Sequence, residues 1–165
     1  MNEFFVAPLN KTLHQTEEFD CGTPALNHWL RHIAGQHQDK GISRSFVLAS
    51  DRRPDVVSGY YALAIRQLVA TSSLPADFSR RLPREVPALT LARLAICQSL
   101  QGRGYGEFLL YDALWRAKAA SAQVGGSLLF VDAKDADGAR FYAQYGFRPL
   151  PDSPLTLAMP LSQIG

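Results

Sequence analysis

Two stretches of the chain combine residue types and spacings able to do chemistry. The first is Gln101-Gly102-Arg103-Gly104-Tyr105-Gly106, set between the near-continuous apolar run Pro87 to Cys97 and a helical pattern. Alternate glycines between a buried strand and a helix start let several backbone N–H groups point at one anion, and the helix dipole favours negative charge there. A pyrophosphate fits such a loop. Glycine is needed where a side chain would obstruct the turn or the approach of phosphate oxygens. On the glycines alone a flexible surface turn fits equally well. A Walker loop does not, because no Lys-Ser or Lys-Thr follows, and a Rossmann loop belongs to the first strand-helix unit with an acid about 20 residues on. The second stretch is Phe141-Tyr142 with Tyr145. Tyr142 carries a proton donor that titrates near ~10, but an aromatic in such a cluster is by position a core residue.

The elements that must position these groups follow from periodicity. Phe4 to Leu9 reads as an edge strand stopped by Pro8. Thr23 caps a helix with Pro24 at its first position and Leu26, Trp29, Leu30 and Ile33 on one face. Gly35 to Gly41 either breaks or weakly continues it. Ser45 to Ala49 and Val56 to about Val69 form an antiparallel hairpin across the turn-rich Ser50 to Asp55. Thr71 to Pro87 is the least structured segment, with Leu74, Phe78 and Leu82 as anchors. Pro87 to Cys97 is a buried central strand interrupted by Arg93, a charge that must pair with an internal acid or face an active-site cleft. A helix runs from Gly104 to about Ala122 with Phe108, Leu109, Ala113 and Leu114 on one face, and Gly125-Gly126 ends it. Leu128 to Ala133 is another buried strand. Asp135 caps a helix from Ala136 to Tyr145, Gly146 closes it, and Phe147 to Leu150 and Thr156 to Met159 are closing strands. The order predicts an α/β three-layer domain, a mixed central sheet flanked by helices.

Composition bounds the rest. At 165 residues, 47% hydrophobic and 19% charged, the chain 1–165 fits one compact domain with a substantial core. No apolar run is long enough to cross a bilayer, and Met1-Asn2-Glu3-Phe4-Phe5 lacks the basic region of a signal peptide, which predicts a cytoplasmic protein without membrane contact. Cys21 and Cys97 suggest free thiols rather than a disulfide or zinc site. His14, His28, His32 and His37 cluster early and away from both stretches; His28 and His32 are spaced i,i+4, but with no third ligand they read as helix-surface residues, and no metal is expected. The net charge of +2 is small yet uneven: between residues 60 and 120, Arg66, Arg80, Arg81, Arg84, Arg93, Arg103, Arg116 and Lys118 face only Asp77, Glu85, Glu107 and Asp112.

The loop resembles the Q/R-x-x-G-x-G/A signature of the GNAT acetyltransferases, matched by Gln101, Gly104 and Gly106 in the family's expected place between a central strand and a long helix. Ala139 to Phe147 resembles the family's closing A-x-x-F-Y-x-x-x-G-F segment, with Gly138 in the usual alanine's place. Phe19-Asp20-Cys21-Gly22, Leu26 with Trp29-Leu30, Gly59-Tyr60-Tyr61-Ala62-Leu63, Val86-Pro87 and Leu91 to Ala95 extend the likeness over nearly the whole chain, to the GNAT toxins of type II toxin-antitoxin modules.

That resemblance implies an acetyl-CoA-dependent enzyme that acetylates the α-amino group of aminoacyl-tRNA, blocks translation and is neutralised by a ribbon-helix-helix antitoxin. It implies that Tyr142 donates a proton to the leaving thiolate, a reasonable transfer because thiols titrate near ~8.5. Leu94, Ala95 and Ile96 would line the pantetheine arm. Gln101, Gly102, Arg103, Gly104, Tyr105 and Gly106 would hold the pyrophosphate. Arg80, Arg81, Arg84, Arg93 and Arg44 are the candidates for tRNA phosphates. The α-amine of an aminoacyl ester is weakly basic, so no general base is assigned. Alternatives are a GNAT enzyme acting on a small amine or a protein N-terminus, and a non-catalytic acyl-CoA-binding protein. A homodimer is one open oligomeric state.

Overall fold

The computed structural model describes residues 3–164; Met1 and Asn2, the start of the stretch read above for a signal peptide, and Gly165 lie outside the described residues. The elements are β1 (Phe4–Pro8), α1 (Pro24–His32), α2 (Ala34–Asp39), β2 (Ser43–Ser50), β3 (Gly59–Ala70), α3 (Ala76–Ser79), β4 (Glu85–Ile96), α4 (Tyr105–Val124), β5 (Leu128–Asp132), α5 (Ala136–Ala143), β6 (Arg148–Leu150) and β7 (Ser153–Pro160). The strands form one seven-stranded sheet in the order β1-β2-β3-β4-β5-β7-β6. β4 and β5 run parallel while β1-β2, β2-β3, β5-β7 and β6-β7 are antiparallel, so the sheet is mixed and flanked by helices, as the element order predicts. The parallel pair follows from its connection, because α4 supplies the long crossover that two parallel strands require.

Two compact units are distinguishable: residues up to Ala64 together with Arg93–Ala113, and Ile65–Ala92 together with residues from Leu114 onward. In the first unit, Val6 faces Leu48 and Val47 faces Tyr60 across the β1-β2-β3 ladder. Trp29 and Leu30 of α1 are buried against this region, with Trp29 stacked on Tyr60 at 5.9 Å and the Tyr60 hydroxyl donating to the Leu26 carbonyl at 2.7 Å. Pro24 opens α1 as expected, but Thr23 holds the cap position without a side-chain hydrogen bond; its carbonyl accepts from the Leu26 and Asn27 N–H groups instead. The ambiguous stretch after α1 resolves into a separate helix, because the chain turns at Ile33 (φ −118) and α2 follows, closed by Gly41 at φ 72.

In the second unit, the segment expected to be least structured is anchored as its apolar residues suggest. Leu74 and Phe78 join Val86, Ala88, Leu128, Phe130 and Ala158 in one buried cluster, with Leu82 packed against it. Burying a side chain of this size contributes about 1.5–3 kcal/mol, enough to fix α3 and the turn after it. Several boundaries move: β3 starts at Gly59 rather than Val56, because Val56 forms only an isolated bridge with Gln15, and β4 starts earlier, at Glu85. Asp135 caps α5 by accepting from the Gly138 N–H at 2.8 Å; the helix stops at Ala143, two residues before the expected Tyr145, and Gly146 turns away at φ 100. Phe108, placed on the buried face of its helix by periodicity, is exposed, while Leu109, Leu110, Ala113 and Ala117 are fully buried.

Candidate active site

The glycine loop sits where the sequence puts it, and the geometry shows why glycine is used. Gly102 and Gly104 adopt φ of 77 and 88, in the left-handed region, yet a Cβ at either would meet nothing within 4 Å. Their requirement is therefore conformational rather than spatial, and the space beside them stays open for an anion. Gly106 lies in the first turn of α4, where the opening N–H groups have no intrahelical acceptor, so this turn has donors available to an anion. Arg103 is exposed in the same loop. Tyr105 packs its ring against Phe4 at 4.8 Å. Gln101 does something the motif does not announce. Its amide nitrogen donates to the Cys21 carbonyl at 2.7 Å and the Ile96 carbonyl at 2.9 Å, which uses both amide protons to brace the loop.

The end of β4 is arranged as a docking edge. The parallel register with β5 covers Ala88 to Leu91 and stops there, leaving the last residues of β4 outside that pairing. The carbonyl of Ala95 points at Gly59 of β3, where an added Cβ would stand only 2.9 Å away. Because backbone groups alternate sides along a strand, Leu94 and Ile96 turn theirs to the opposite edge. This separates the three residues named from sequence: Leu94 and Ile96 turn their backbone groups to the edge away from β3, where the Ile96 carbonyl already accepts from Gln101, and Ala95 faces its neighbour strand. Gly59 is the residue whose role sequence reasoning missed. Its place inside an expected strand was visible, but the close approach it permits was not.

Tyr142 lies in α5, partly buried between Phe141 at 5.2 Å and Phe147 at 5.7 Å, ring centroid to centroid. Its hydroxyl makes no hydrogen bond to any described residue. Burial pushes the phenol up to about 12, so it stays protonated throughout the neutral range. Tyr142 is thus a phenol with its proton in place and its donor unspent among the described residues.

The arginines separate into groups. Arg80, Arg81 and Arg84 are exposed on the segment between α3 and β4, whose base is tied by Thr71 to the Arg84 carbonyl at 2.8 Å. Arg44 is exposed on β2. Arg93, expected to meet an acid or a cleft, lays its guanidinium over the Trp29 ring at 5.0 Å, an arrangement that eases burial of a charge. Arg66 was counted in the basic middle of the chain, but it pairs with Asp132 through two nitrogens at 3.1 and 3.3 Å and covers Phe130 at 4.5 Å. Its charge is thereby compensated. Another missed contact is the Tyr61 hydroxyl donating to Asp112 at 2.5 Å, which ties β3 to α4. The rings of His28 and His32 lie 4.7 Å apart on exposed residues, and among the described residues no group of three or more His, Cys, Asp or Glu is placed to hold a metal ion. Cys21 and Cys97 are free thiols. No helix among the described residues is long and apolar enough to cross a membrane.

No protein-family model matches the chain. It is 37% identical over 141 residues to a tRNA-acetylating toxin of Mycobacterium tuberculosis (strain ATCC 25618 / H37Rv), covering 86% of this chain and 82% of the relative. Among solved structures it is similar to AtaT complexed with acetyl-methionyl-tRNAfMet (TM-score 0.90, 31% identity, 98% and 97% of the two chains). It is likewise similar to a tyrosine-to-phenylalanine mutant of AtaT bound to the C-terminus of the antitoxin AtaR and acetyl-CoA (TM-score 0.81, 32% identity, 98% and 95%). With the glycine loop, the β4 edge and the buried phenol in the same order as the GNAT signature, the chain belongs to the family of GNAT tRNA-acetylating toxins.

Proposed function

We propose that this protein transfers the acetyl group of acetyl-CoA to the α-amine of an aminoacyl-tRNA and so stops translation. The observation that carries the reading is the loop 101–106, whose left-handed glycines leave an open cradle at the start of α4, next to a strand end with outward backbone groups. In this reading Gly102, Arg103, Gly104, Tyr105 and Gly106 take the pyrophosphate, and Leu94 and Ile96 pair with the amide groups of the pantetheine arm. Gln101 holds the loop against Ile96 and Cys21. Acetyl-CoA supplies the activated thioester.

The neutral α-amine attacks the thioester carbonyl carbon, forming a C–N bond as the C–S bond breaks. Tyr142 gives its phenolic proton to the departing sulfur and recovers one from solvent, which also takes the proton lost by the nitrogen. A phenol raised to about 12 is a weak acid, so its hydrogen bond strengthens as charge builds on sulfur rather than transferring early. The α-amine of an aminoacyl ester is mostly neutral near pH 7.5, which removes the need for a strong base.

Arg80, Arg81, Arg84, Arg93 and Arg44 are assigned to the polyanionic substrate, with Arg93 reaching it from its place on Trp29. A similar structure bound to an antitoxin supports a protein antitoxin as partner; the ribbon-helix-helix type is assigned from the resemblance alone, and a cytoplasmic site of action follows from the substrate. One domain carries the activity, and a homodimer is compatible with it. The test is mass spectrometry of aminoacyl groups released from a charged tRNA pool after incubation with acetyl-CoA. An added acetyl on the α-amine is expected; acetylation of free amines or peptide N-termini alone would refute the reading.

A further inference from the structure

A groove of about 650 Å³ in the second unit has no part in the chemistry above. Its lining includes Phe78, Arg80, Lys118, Ser127 and Ser162. We propose that this groove takes a ribonucleotide unit of the tRNA, with its phosphate on Arg80; the proposal rests on the aminoacyl-tRNA reading and deepens it.

The sign of the groove comes first. Asp77 is the one acid among its described lining residues, and the guanidinium of Arg148 engages it, holding its carboxyl below the usual carboxylate range. Arg148 itself lies over the Phe78 ring at 4.9 Å, so that pair is fixed to the wall. Arg80 makes no ion pair among the described residues, and Lys118 is held at the rim by donating to the Ile164 carbonyl. Arg80 also acts on the Asp77 carboxyl through its charge, so the described lining carries two cations against one acid already engaged by Arg148, and this net positive sign suits an anion.

The backbone beside Arg80 is strained in a way that fixes it. Arg81 has φ 70 and is the one non-glycine residue in the left-handed region among the described residues. Such conformations persist where the surroundings over-determine them, and they concentrate at ligand clamps. Here Phe78 and Leu82 are pinned to the apolar cluster on either side of the reversal. The backbone that carries the exposed Arg80 is thereby anchored on both sides.

The size and lining favour a nucleotide over a bare phosphate. The volume lies within the usual range for small-ligand sites, and it combines an apolar wall with serine hydroxyls able to meet a ribose. The groove adjoins Leu128 at the start of β5, whereas α5 departs beyond Asp132 at its other end, about 13 Å away for four strand steps. It would hold the body of the tRNA rather than its amino acid, so its loss should appear in KM and not in kcat.

The test uses Ser162→Trp, which fills the groove from an exposed position, beside Arg80→Glu, with steady-state acetylation of a charged tRNA pool. Each variant is expected to raise KM for charged tRNA about tenfold while kcat and KM for acetyl-CoA stay at the parental values. The double variant should fall short of the product of the two effects, because both act on one site. An unchanged KM for charged tRNA in Ser162→Trp would overturn the proposal, as would a loss confined to antitoxin affinity, which would give the groove to an acidic segment of that partner. A parent protein that acetylates no charged tRNA would overturn the underlying reading, and the proposal with it.

Discussion

Tyr142→Phe separates chemistry from packing because the hydroxyl has no hydrogen-bond partner to lose among the described residues. The ring keeps its edge contacts with Phe141 and Phe147, so folding stability near pH 7.5 should change by less than about 1 kcal/mol. Loss of a positioned proton donor should lower kcat by about 10²–10⁴-fold, with KM for acetyl-CoA unchanged because the phenol acts on the developing thiolate. The alkaline limb supplies a second readout. A phenol at about 12 in the folded chain and about 10 in the unfolded one keeps its proton longer when folded, so above pH 10 the unfolded state binds fewer protons. Stability then falls as pH rises from about 10 to 12, by up to about 2–3 kcal/mol from this group. The contribution is absent below pH 10 and absent in Tyr142→Phe. Chemical denaturation at pH 8, 10 and 11.5, run beside turnover on charged tRNA, measures both. A variant that turns over like the parent would remove Tyr142 from the mechanism, and an identical alkaline stability loss in both proteins would refute the burial assigned to its hydroxyl.

Three further outcomes follow from the same geometry. Gly104→Ala places a side chain at φ 88 with no atom to clash against, so it should cost about 1–2 kcal/mol of stability and weaken acetyl-CoA binding by calorimetry; unchanged affinity would remove this glycine from the cradle. Gly59→Ala sets a Cβ 2.9 Å from the Ala95 carbonyl and should cost about 1–3 kcal/mol while raising KM for acetyl-CoA through displacement of the β4 end; a variant with parental melting and KM would contradict the close approach. Arg81→Gly should relieve about 1–2 kcal/mol of backbone strain against about 0.5–1 kcal/mol of added unfolded-chain entropy, leaving Tm equal or up to a few degrees higher, while KM for charged tRNA rises; a marked drop in Tm would show that the left-handed turn carries no strain.

Periodicity and turn chemistry were sufficient for most elements, because each signal is local. Asp135 stands three residues before the N–H it caps, Gly125, Gly126 and Gly146 stand at left-handed helix ends, and the alternation of apolar strands with one long helix demands a parallel crossover. The sequence by itself also placed the loop, since Gly102 and Gly104 need only their own φ to open it. What it did not hold were relations between distant residues. That Gln101 spends its amide on Cys21, 80 positions away, or that Arg66 is neutralised by Asp132, 66 positions away, depends on contacts no spacing encodes. Arg93 shows the reason most plainly. A lone charge in an apolar strand announces that something must compensate it, and only the packing of α1 decided that the compensation includes the face of Trp29. Burial and charge compensation are properties of what the fold brings alongside, so the tertiary structure alone raised the Tyr142 phenol and left the Arg80 groove positive.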